Sequence, residues 1–262
     1  MSSAPLPLAK IAIVTGASSG IGRAIALRLA SDGLDIGLND IPSKSDELKQ
    51  VEREIQAMGR RAVVFTGDVA DEAQVKTLVS VIAEALGGLD VMVANAGVAS
   101  RGGVLSCTAD DWDRVMNINA RGTFLCYKYA AEQMIKQGAS RGGRIIGAAS
   151  SWGKRGSKEA VAYSMSKFAV RGLTQSAADE LGQYNITVNA YAPGWIDTSM
   201  TRLAGAPHFQ EGAYLEMKKK DSVVGRNGQP EEVAGLVSYL VSDVASFVTG
   251  QSLCINGGAY FD

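Results

Sequence analysis

The chain has 262 residues, which is long for one domain but within reach of a single large α/β unit. Hydrophobic residues make up 46% of it, and the formal net charge of −1 gives no reason to expect a nucleic acid or an anionic membrane as a partner. Three cysteines without a CxxC pair argue against a disulfide framework, so a reducing, cytoplasmic location is expected. Because His208 is the one histidine, we expect no metal site.

Residues 1–9 contain two prolines and have neither a basic nor an apolar stretch of signal-peptide type. They predict a short flexible tail in front of one catalytic domain over residues 10–262. The longest apolar runs have the length of buried strands, well short of the ~20 residues that a bilayer requires. No membrane partner is therefore expected.

Apolar runs alternate with amphipathic stretches along the whole chain. Strands are predicted at residues 11–15, 34–38, 62–65, 89–94, 144–146, 186–190 and 252–255. Helices are predicted at 21–30, 47–58 and 71–86, in two stretches from 109 to 137, and at 160–183 and 230–242. This alternation predicts an α/β fold, a single-domain, Rossmann-like, doubly wound parallel sheet of about seven strands, in which ligands bind at the carboxyl ends of the strands. The glycine- and proline-containing segment 199–224, which includes His208, predicts a mobile lid.

A glycine-rich segment, TGASSGIG at 15–22, joins the first strand to the first helix. Its glycines permit a tight turn and let backbone N–H groups approach a pyrophosphate at a helix N-terminus. The spacing is GxxxGxG rather than GxGxxG, and an ordinary glycine-rich turn is the alternative. The predicted phosphate-binding residues are Gly16, Ser18, Ser19, Gly20, Ile21 and Gly22.

Asp40 ends the second strand, about twenty residues beyond this loop. A carboxylate at that place accepts hydrogen bonds from the adenosine ribose hydroxyls and repels a 2′-phosphate. Its neighbours Asn39 and Ile41 carry no cation, and neither do Ala17 and Ser18 in the glycine loop. NAD rather than NADP is therefore predicted, although Asp40 could instead be a surface residue that caps the following loop.

Two further polar turns follow the third and fourth strands. Asp68-Val69 and Asn95-Ala96-Gly97 lie where a bound dinucleotide would pass, although either could be a plain turn.

Tyr163 and Lys167, in YSMSK, are four residues apart and would share one face of a helix. The reference pKa of a tyrosine is about 10, so action near neutral pH requires a shift of about 3 units. A close ammonium together with a positively charged nicotinamide ring could supply that field. Helices contain many such pairs by chance, so the pair alone is a weak signal.

The motifs occur together in one order and spacing. They are TGASSGIG at 15–22, Asp68, Asn95-Ala96-Gly97, Asn119 in MNINARG, Ser150, YSMSK at 163–167, and Pro193-Gly194 followed by Thr198. From about Lys10 to the C-terminus the chain thus resembles the classical short-chain dehydrogenases/reductases. Ser150 lies thirteen residues before Tyr163, which is the family's common spacing. Ala94 departs from the pattern, because many members carry an asparagine there.

The resemblance implies roles for four catalytic residues. Tyr163 would be the general acid in reduction and the general base in oxidation, and Lys167 would hold the nicotinamide ribose and lower the pKa of Tyr163. Ser150 would donate a hydrogen bond to the substrate oxygen, and Asn119 would position a water that connects Lys167 to solvent. The loop after the sixth strand would complete the cofactor site with Pro193, Gly194, Ile196 and Thr198.

A finer similarity, to acetoin/diacetyl reductases (butanediol dehydrogenases), lies in residues 150–163, 168–175, 188–194 and 249–253. It predicts NAD(H)-dependent interconversion of a ketone and a secondary alcohol, with diacetyl or acetoin and butanediol as the expected substrates. Polyol or sugar dehydrogenases and secondary-metabolite or 3-oxoacyl ketoreductases share much of the pattern. The predicted substrate pocket consists of Ser150, Trp152, Glu159, Tyr163 and Trp195, with core packing as the alternative for both tryptophans.

Two other function classes stay open. A nucleotide-binding scaffold or sensor could use the same fold, but it would be expected to have lost one of the four catalytic residues. A triad hydrolase is disfavoured because the chain has no GxSxG elbow.

A homotetramer, or at least a dimer, is the last expectation. Family members usually pair through the long helices after the fourth and fifth strands. Phe124, Leu125, Tyr127 and Tyr129 also predict more apolar surface in that region than one sheet face can bury.

Overall fold

The seven predicted strands form one parallel sheet in the structure, a computed structural model that describes residues 10–203 and 210–261. They are β1 (Ile11–Thr15), β2 (Asp35–Asp40), β3 (Ala62–Thr66), β4 (Val91–Ala94), β5 (Gly143–Ala148), β6 (Ile186–Pro193) and β7 (Ser252–Ile255). The order is β3-β2-β1-β4-β5-β6-β7, with every pair parallel. The predicted Rossmann-like α/β fold is confirmed, and the strand order reverses between β1 and β4, where ligands bind in such sheets.

Helices cover both faces of this sheet. They are α1 (Gly20–Ser31), α2 (Ser45–Ala57), α3 (Glu72–Leu86), α4 (Ala109–Met116), α5 (Gly122–Gln137), α6 (Val161–Leu181), α7 (Ser199–Arg202), α8 (Ala213–Lys218) and α9 (Pro230–Val241). One core contains Ile25 of α1 and Val237 of α9, and the other contains Ile82 of α3 and Leu125 of α5. The apolar faces of these four helices are therefore buried in the two cores, as the alternating sequence pattern requires.

Strand β6 is longer than the sequence predicts, because the prediction ends at Ala190 and the strand continues to Pro193. Two of its three buried polar side chains, Asn189 and Tyr191, are paired, whereas Thr187 Oγ1 has no hydrogen-bond partner within the described residues. Asn189 Nδ2 donates to Val248 O at 2.7 Å, and Tyr191 Oη donates to Asn95 Oδ1 at 2.7 Å. Buried polar groups that keep their hydrogen bonds are tolerated inside a sheet. The extension brings Pro193 to the carboxyl edge of the sheet.

Two connections differ from simple helix–loop patterns. A π-helical turn, Asn117–Arg121, joins α4 to α5, and such turns are frequent at functional sites. The predicted lid contains the short helices α7 and α8, and its mobility stays a prediction. The predicted tail at 1–9 and His208 lie outside the described residues.

The surface argument for oligomers is partly wrong. Leu125 and Tyr127 are buried in the chain's own core, and Tyr129 donates to Glu72 Oε1 at 2.8 Å. Phe124 alone of the four is an exposed apolar side chain, 48% accessible. The homotetramer stays a prediction that rests mainly on the family resemblance. No helix in the described part of the chain is long and apolar enough to cross a membrane.

Candidate active site

The glycine loop between β1 and α1 packs directly against the end of β4. Gly16 and Gly20 have φ values of +64° and +55°, a region that favours glycine. A Cβ on Gly22 would lie 2.1 Å from the Gly16 carbonyl oxygen, so no side chain fits there. Asn95 Nδ2 holds the loop by donating to Thr15 O at 2.8 Å and to Gly16 O at 3.2 Å. The result is bare backbone at the N-terminus of α1, which is suited to a phosphate.

A cavity of about 530 Å³ extends from this loop along the carboxyl ends of the strands. All of the predicted cofactor residues line it: Gly16, Ser18, Ser19, Gly20, Ile21, Gly22, Asp40, Asp68, Val69, Asn95, Ala96, Gly97, Tyr163, Lys167, Pro193, Gly194, Ile196 and Thr198. An elongated cavity with a glycine-rich end fits a dinucleotide. Lining residues that the sequence did not indicate include Lys44, Val98, Ile118 and Met200.

Asp40 faces the glycine loop from the end of β2. Its Oδ2 accepts hydrogen bonds from Ser18 Oγ at 2.6 Å and from Ser18 N at 3.2 Å. Lys44 lines the same end of the cavity, and its Nζ donates to Glu47 Oε1 at 2.8 Å. The sequence prediction missed this lysine because it considered only the direct neighbours of Asp40, whereas a 3₁₀ turn over Pro42–Lys44 brings it close.

Tyr163 lies on α6, and Ser150 lies immediately beyond β5. Burial raises the pKa of the Tyr163 phenol, and a hydrogen bond with the Ser150 side chain only partly opposes this. The expected lowering of the Tyr163 pKa is therefore absent from the chain's own groups, since loss of water disfavours the phenolate. The protein alone keeps Tyr163 in its acid form.

Lys167 is 4% exposed, one helical turn beyond Tyr163. Its Nζ donates to Ala148 O at 2.7 Å and lies 5.4 Å from the centre of the Tyr163 ring. Burial lowers the pKa of Lys167 to about 8. The ammonium is thus close to the phenol, but its one hydrogen bond within the described residues goes to a main-chain carbonyl.

Asn119 is fully buried in the π-helical turn. Its Nδ2 donates to Val98 O at 2.9 Å and to Ser166 Oγ at 3.0 Å, and its Oδ1 accepts from Val98 N at 2.8 Å. Ser166 in turn donates to Tyr163 O at 2.7 Å. Asn119 therefore ties the segment after β4 to the catalytic helix, and its predicted water relay stays a prediction. Ser166, inside YSMSK, was not singled out in the sequence.

A second cavity, of about 570 Å³, begins at Ser150 and Tyr163 and is lined by Trp152 and Trp195. Glu159, the fifth predicted pocket residue, does not line it. Its side chain is exposed and accepts a hydrogen bond from Tyr214 Oη at 3.1 Å. Four of the five predicted pocket residues are thus brought together.

A row of aromatic rings follows this second cavity. Ring centres are 5.9 Å apart between Tyr163 and Trp152, and 5.5 Å apart both between Trp152 and Trp195 and between Trp195 and Tyr214. All three contacts are edge-to-face, the favourable arrangement for aromatic pairs. Tyr214 has no motif around it, and its place in the row was not predicted.

Within residues 10–203 and 210–261, no three His, Cys, Asp or Glu side chains come together in a way that could hold a metal ion. None of Cys107, Cys126 and Cys254 forms a disulfide.

Comparison with known proteins identifies the family. The family model described as enoyl-(acyl carrier protein) reductase matches residues 16–260. A short-chain dehydrogenase/reductase of Armillaria gallica is 46% identical over 266 residues, covering 100% of both chains. This chain belongs to the short-chain dehydrogenase/reductase family. It is an oxidoreductase with that family's nicotinamide-binding fold.

Two other members of this family bear on cofactor and substrate. The L-2,3-butanediol dehydrogenase of Corynebacterium glutamicum is 38% identical over 263 residues, covering 97% of this dehydrogenase/reductase and 100% of that relative. The solved structure of a short-chain dehydrogenase from Burkholderia cenocepacia J2315 in complex with NADP has a TM-score of 0.87 and 36% identity, covering 97% of this chain and 99% of that one.

Proposed function

We propose that this short-chain dehydrogenase/reductase interconverts a ketone and a secondary alcohol with NAD(H). One observation carries the proposal: Ser150 and Tyr163 line both cavities, so they lie where a dinucleotide and a second small molecule would meet. The glycine loop, where a Cβ on Gly22 would fill the space, supports the fit of the cofactor's phosphates. The bound nicotinamide would supply or accept the hydride.

The chain's own groups handle the proton and the charge on oxygen. In reduction the substrate oxygen accepts hydrogen bonds from Ser150 Oγ and Tyr163 Oη, and the phenol proton moves to that oxygen as it gains negative charge. The raised pKa of Tyr163 keeps this proton in place beforehand. The Lys167 ammonium, 5.4 Å from the ring centre, stabilises the phenolate that results. Oxidation of the alcohol uses the same groups in reverse.

NAD is proposed over NADP because of the charges at the end of β2. Asp40 faces the cavity as a carboxylate that would repel a 2′-phosphate. Lys44 and Lys167 are the cations in the described lining, and Lys44 is already paired with Glu47. The NADP complex of the Burkholderia relative argues against this choice of cofactor.

Comparison of kcat/KM for NADH and NADPH tests this choice. We expect the wild type to prefer NADH, and Asp40→Ala combined with Ile41→Arg to reduce or invert the preference by removing a repelling charge and adding a binding one. A wild type that uses NADPH tenfold better than NADH would contradict the proposal.

Two substrate classes are compatible with the proposed ketone/alcohol oxidoreductase. The butanediol dehydrogenase relative supports diacetyl or acetoin as the ketone. The cavity of about 570 Å³ with two tryptophans favours a bulkier ketone, of the kind that secondary-metabolite ketoreductases reduce. Measuring NADH oxidation against small diketones, ketoses and bulky ketones separates these classes, and the absence of turnover on every panel member would favour the scaffold alternative.

A homotetramer in the cytoplasm completes the proposal. The family resemblance and the exposed Phe124 support the assembly, and three cysteines without a disulfide among them support a reducing compartment. Sedimentation at micromolar concentration measures the assembly, and a monomer there would exclude it.

A further inference from the structure

The outer part of the substrate-side cavity carries positive charge. Arg101, Arg114 and Arg155 line it, together with the catalytic Tyr163. Arg114 is neutralised, because Asp111 Oδ1 lies 2.7 Å from its Nη2. Within residues 10–203 and 210–261, Arg101 and Arg155 form no ion pair. Two guanidinium groups therefore face the cavity without a carboxylate.

One carboxylate belongs to the described lining, and it does not balance these charges. Asp221 Oδ2 lies 3.2 Å from Lys218 Nζ, so this aspartate is itself paired. A ligand at the arginines would therefore meet a field with a positive excess.

The two unpaired arginines are held by aromatic rings instead. The guanidinium carbon of Arg101 lies 4.3 Å from the centre of the Tyr214 ring, and that of Arg155 lies 5.4 Å from the centre of the Tyr260 ring. Stacking fixes the plane of a guanidinium while leaving its N–H edge free to donate. A planar carboxylate matches such an edge with two parallel hydrogen bonds.

Apolar surface lies between Arg101 and the reacting groups. Trp152 contacts the Tyr163 ring, Trp195 follows it, and Tyr214 under Arg101 is the last ring of the row. A molecule that reaches from the phenol along this row to Arg101 places its middle against two indoles. Its chemistry is thus constrained at three points: a carbonyl, an apolar body and an anionic end.

We propose that the substrate is a ketone, or the corresponding secondary alcohol, with an apolar body whose far end carries a carboxylate bound by Arg101 and Arg155. This proposal rests on the oxidoreductase function proposed above and specifies its substrate class. Diacetyl and acetoin have neither the apolar body nor the anion, so they would use only the inner end of the cavity.

Matched pairs of aryl methyl ketones test the proposal. Each pair consists of a para-substituted acid and its methyl ester, with carboxylate, carboxymethyl or carboxyethyl groups as spacers of increasing length. For at least one spacer we expect kcat/KM of the acid to exceed that of the ester by about tenfold, which equals about 1.4 kcal/mol. Because the contacts are exposed, added salt should reduce this ratio.

Arg101→Gln with Arg155→Gln should bring the acid/ester ratio close to one, because kcat/KM of the acids should fall more than that of the esters. Arg53→Gln with Lys76→Gln is the matched control: both residues are exposed, on α2 and α3, and neither lines the cavity, so the net charge changes equally while the ratio should stay. A ratio near one in the wild type, or a ratio that survives the double substitution, would overturn the anion site.

Calorimetric titration of the same pairs into the wild type, with and without NAD⁺, separates the two levels of the proposal. Acid binding that depends on Arg101 and Arg155 without turnover of any ketone would leave the anion site standing and refute the oxidoreductase function for this class. Turnover of acids and esters alike, with equal affinities, would support the oxidoreductase function and refute the anion site.

Discussion

The cofactor-side and substrate-side cavities are built in different ways, although they meet at Tyr163. On the cofactor side the contacts are made by backbone at strand ends, held by short hydrogen bonds such as Asn95 to Gly16 and Ser18 to Asp40. On the substrate side the walls are large side chains, Trp152 and Trp195, from separate loops. Nicotinamide dinucleotides share one framework, so a cavity for them can be fixed by local spacing, whereas the substrate wall depends on how distant segments pack.

The largest expected effect lies where the cavities meet. Tyr163→Phe removes one oxygen, the only group placed to give a proton to the substrate oxygen, so we expect kcat to fall about 10²–10⁴-fold or more. The edge-to-face contact with Trp152 is retained, so the fold and the NADH dissociation constant should not change. Steady-state kinetics and an NADH titration on the folded variant measure both. More than a tenth of wild-type kcat on the true substrate would refute this mechanism.

Gly22→Ala tests the cofactor side alone. The new Cβ would lie 2.1 Å from Gly16 O, so the loop must shift, at a cost of about 1–3 kcal/mol in the free energy of unfolding. NADH affinity should fall with it. Gly172→Ala on α6 is the control: a Cβ there has no neighbour within 4 Å, and the change should stabilise by about 0.5–1 kcal/mol. Denaturation curves in which both variants behave alike would show that the loop is not tightly packed.

The same contrast explains what the sequence could predict. The β-α alternation predicted all seven strands. The lining of the cofactor cavity includes every residue that was predicted to bind the cofactor. Glycine spacing and strand ends act through neighbours in the chain, so their geometry is local. Lys44 was missed at this side because a short 3₁₀ turn, not simple adjacency, brings it to the cavity.

The remaining errors come from tertiary contacts. Glu159 is four residues before Tyr163, yet it bonds to Tyr214, 55 positions later in the chain. Leu125 and Tyr127 looked like surplus apolar surface, but both are buried in the chain's own core. Burial in the chain alone raises the pKa of Tyr163, which the spacing did not indicate, and the lowering that a bound nicotinamide would bring stays a prediction. Burial is a property of the assembled fold, so a spacing of residues in the sequence carries little information about it.

The pH dependence of stability sharpens the account of Lys167. Its folded pKa of about 8 lies below the ordinary value of 10.5, so between these values the unfolded chain binds more protons and stability rises with pH. From pH 8 to 9.5 this should add about 1.6 kcal/mol to the free energy of unfolding. Lys167→Met lacks the effect, so the difference between the two proteins isolates it in denaturant titrations. A difference that stays constant with pH would mean that the ammonium is not desolvated.

The smallest effect expected lies on the substrate side. Trp195→Ala removes apolar surface from the middle of the ring row, so kcat/KM for a bulky ketone should fall about tenfold, or about 1.4 kcal/mol, while the NADH dissociation constant stays the same. A four-carbon diketone does not fill this space, and its kcat/KM should hardly change.

Glu159→Gln is the control, because a glutamine still accepts the Tyr214 hydrogen bond from outside the cavity. The kcat/KM of this variant should stay within about twofold of the wild type. If Trp195→Ala instead impaired diacetyl reduction as much as that of bulky ketones, the indole would be acting on the reacting end. The substrate side would then be as rigidly built as the cofactor side, and diacetyl or acetoin would be favoured as the substrate.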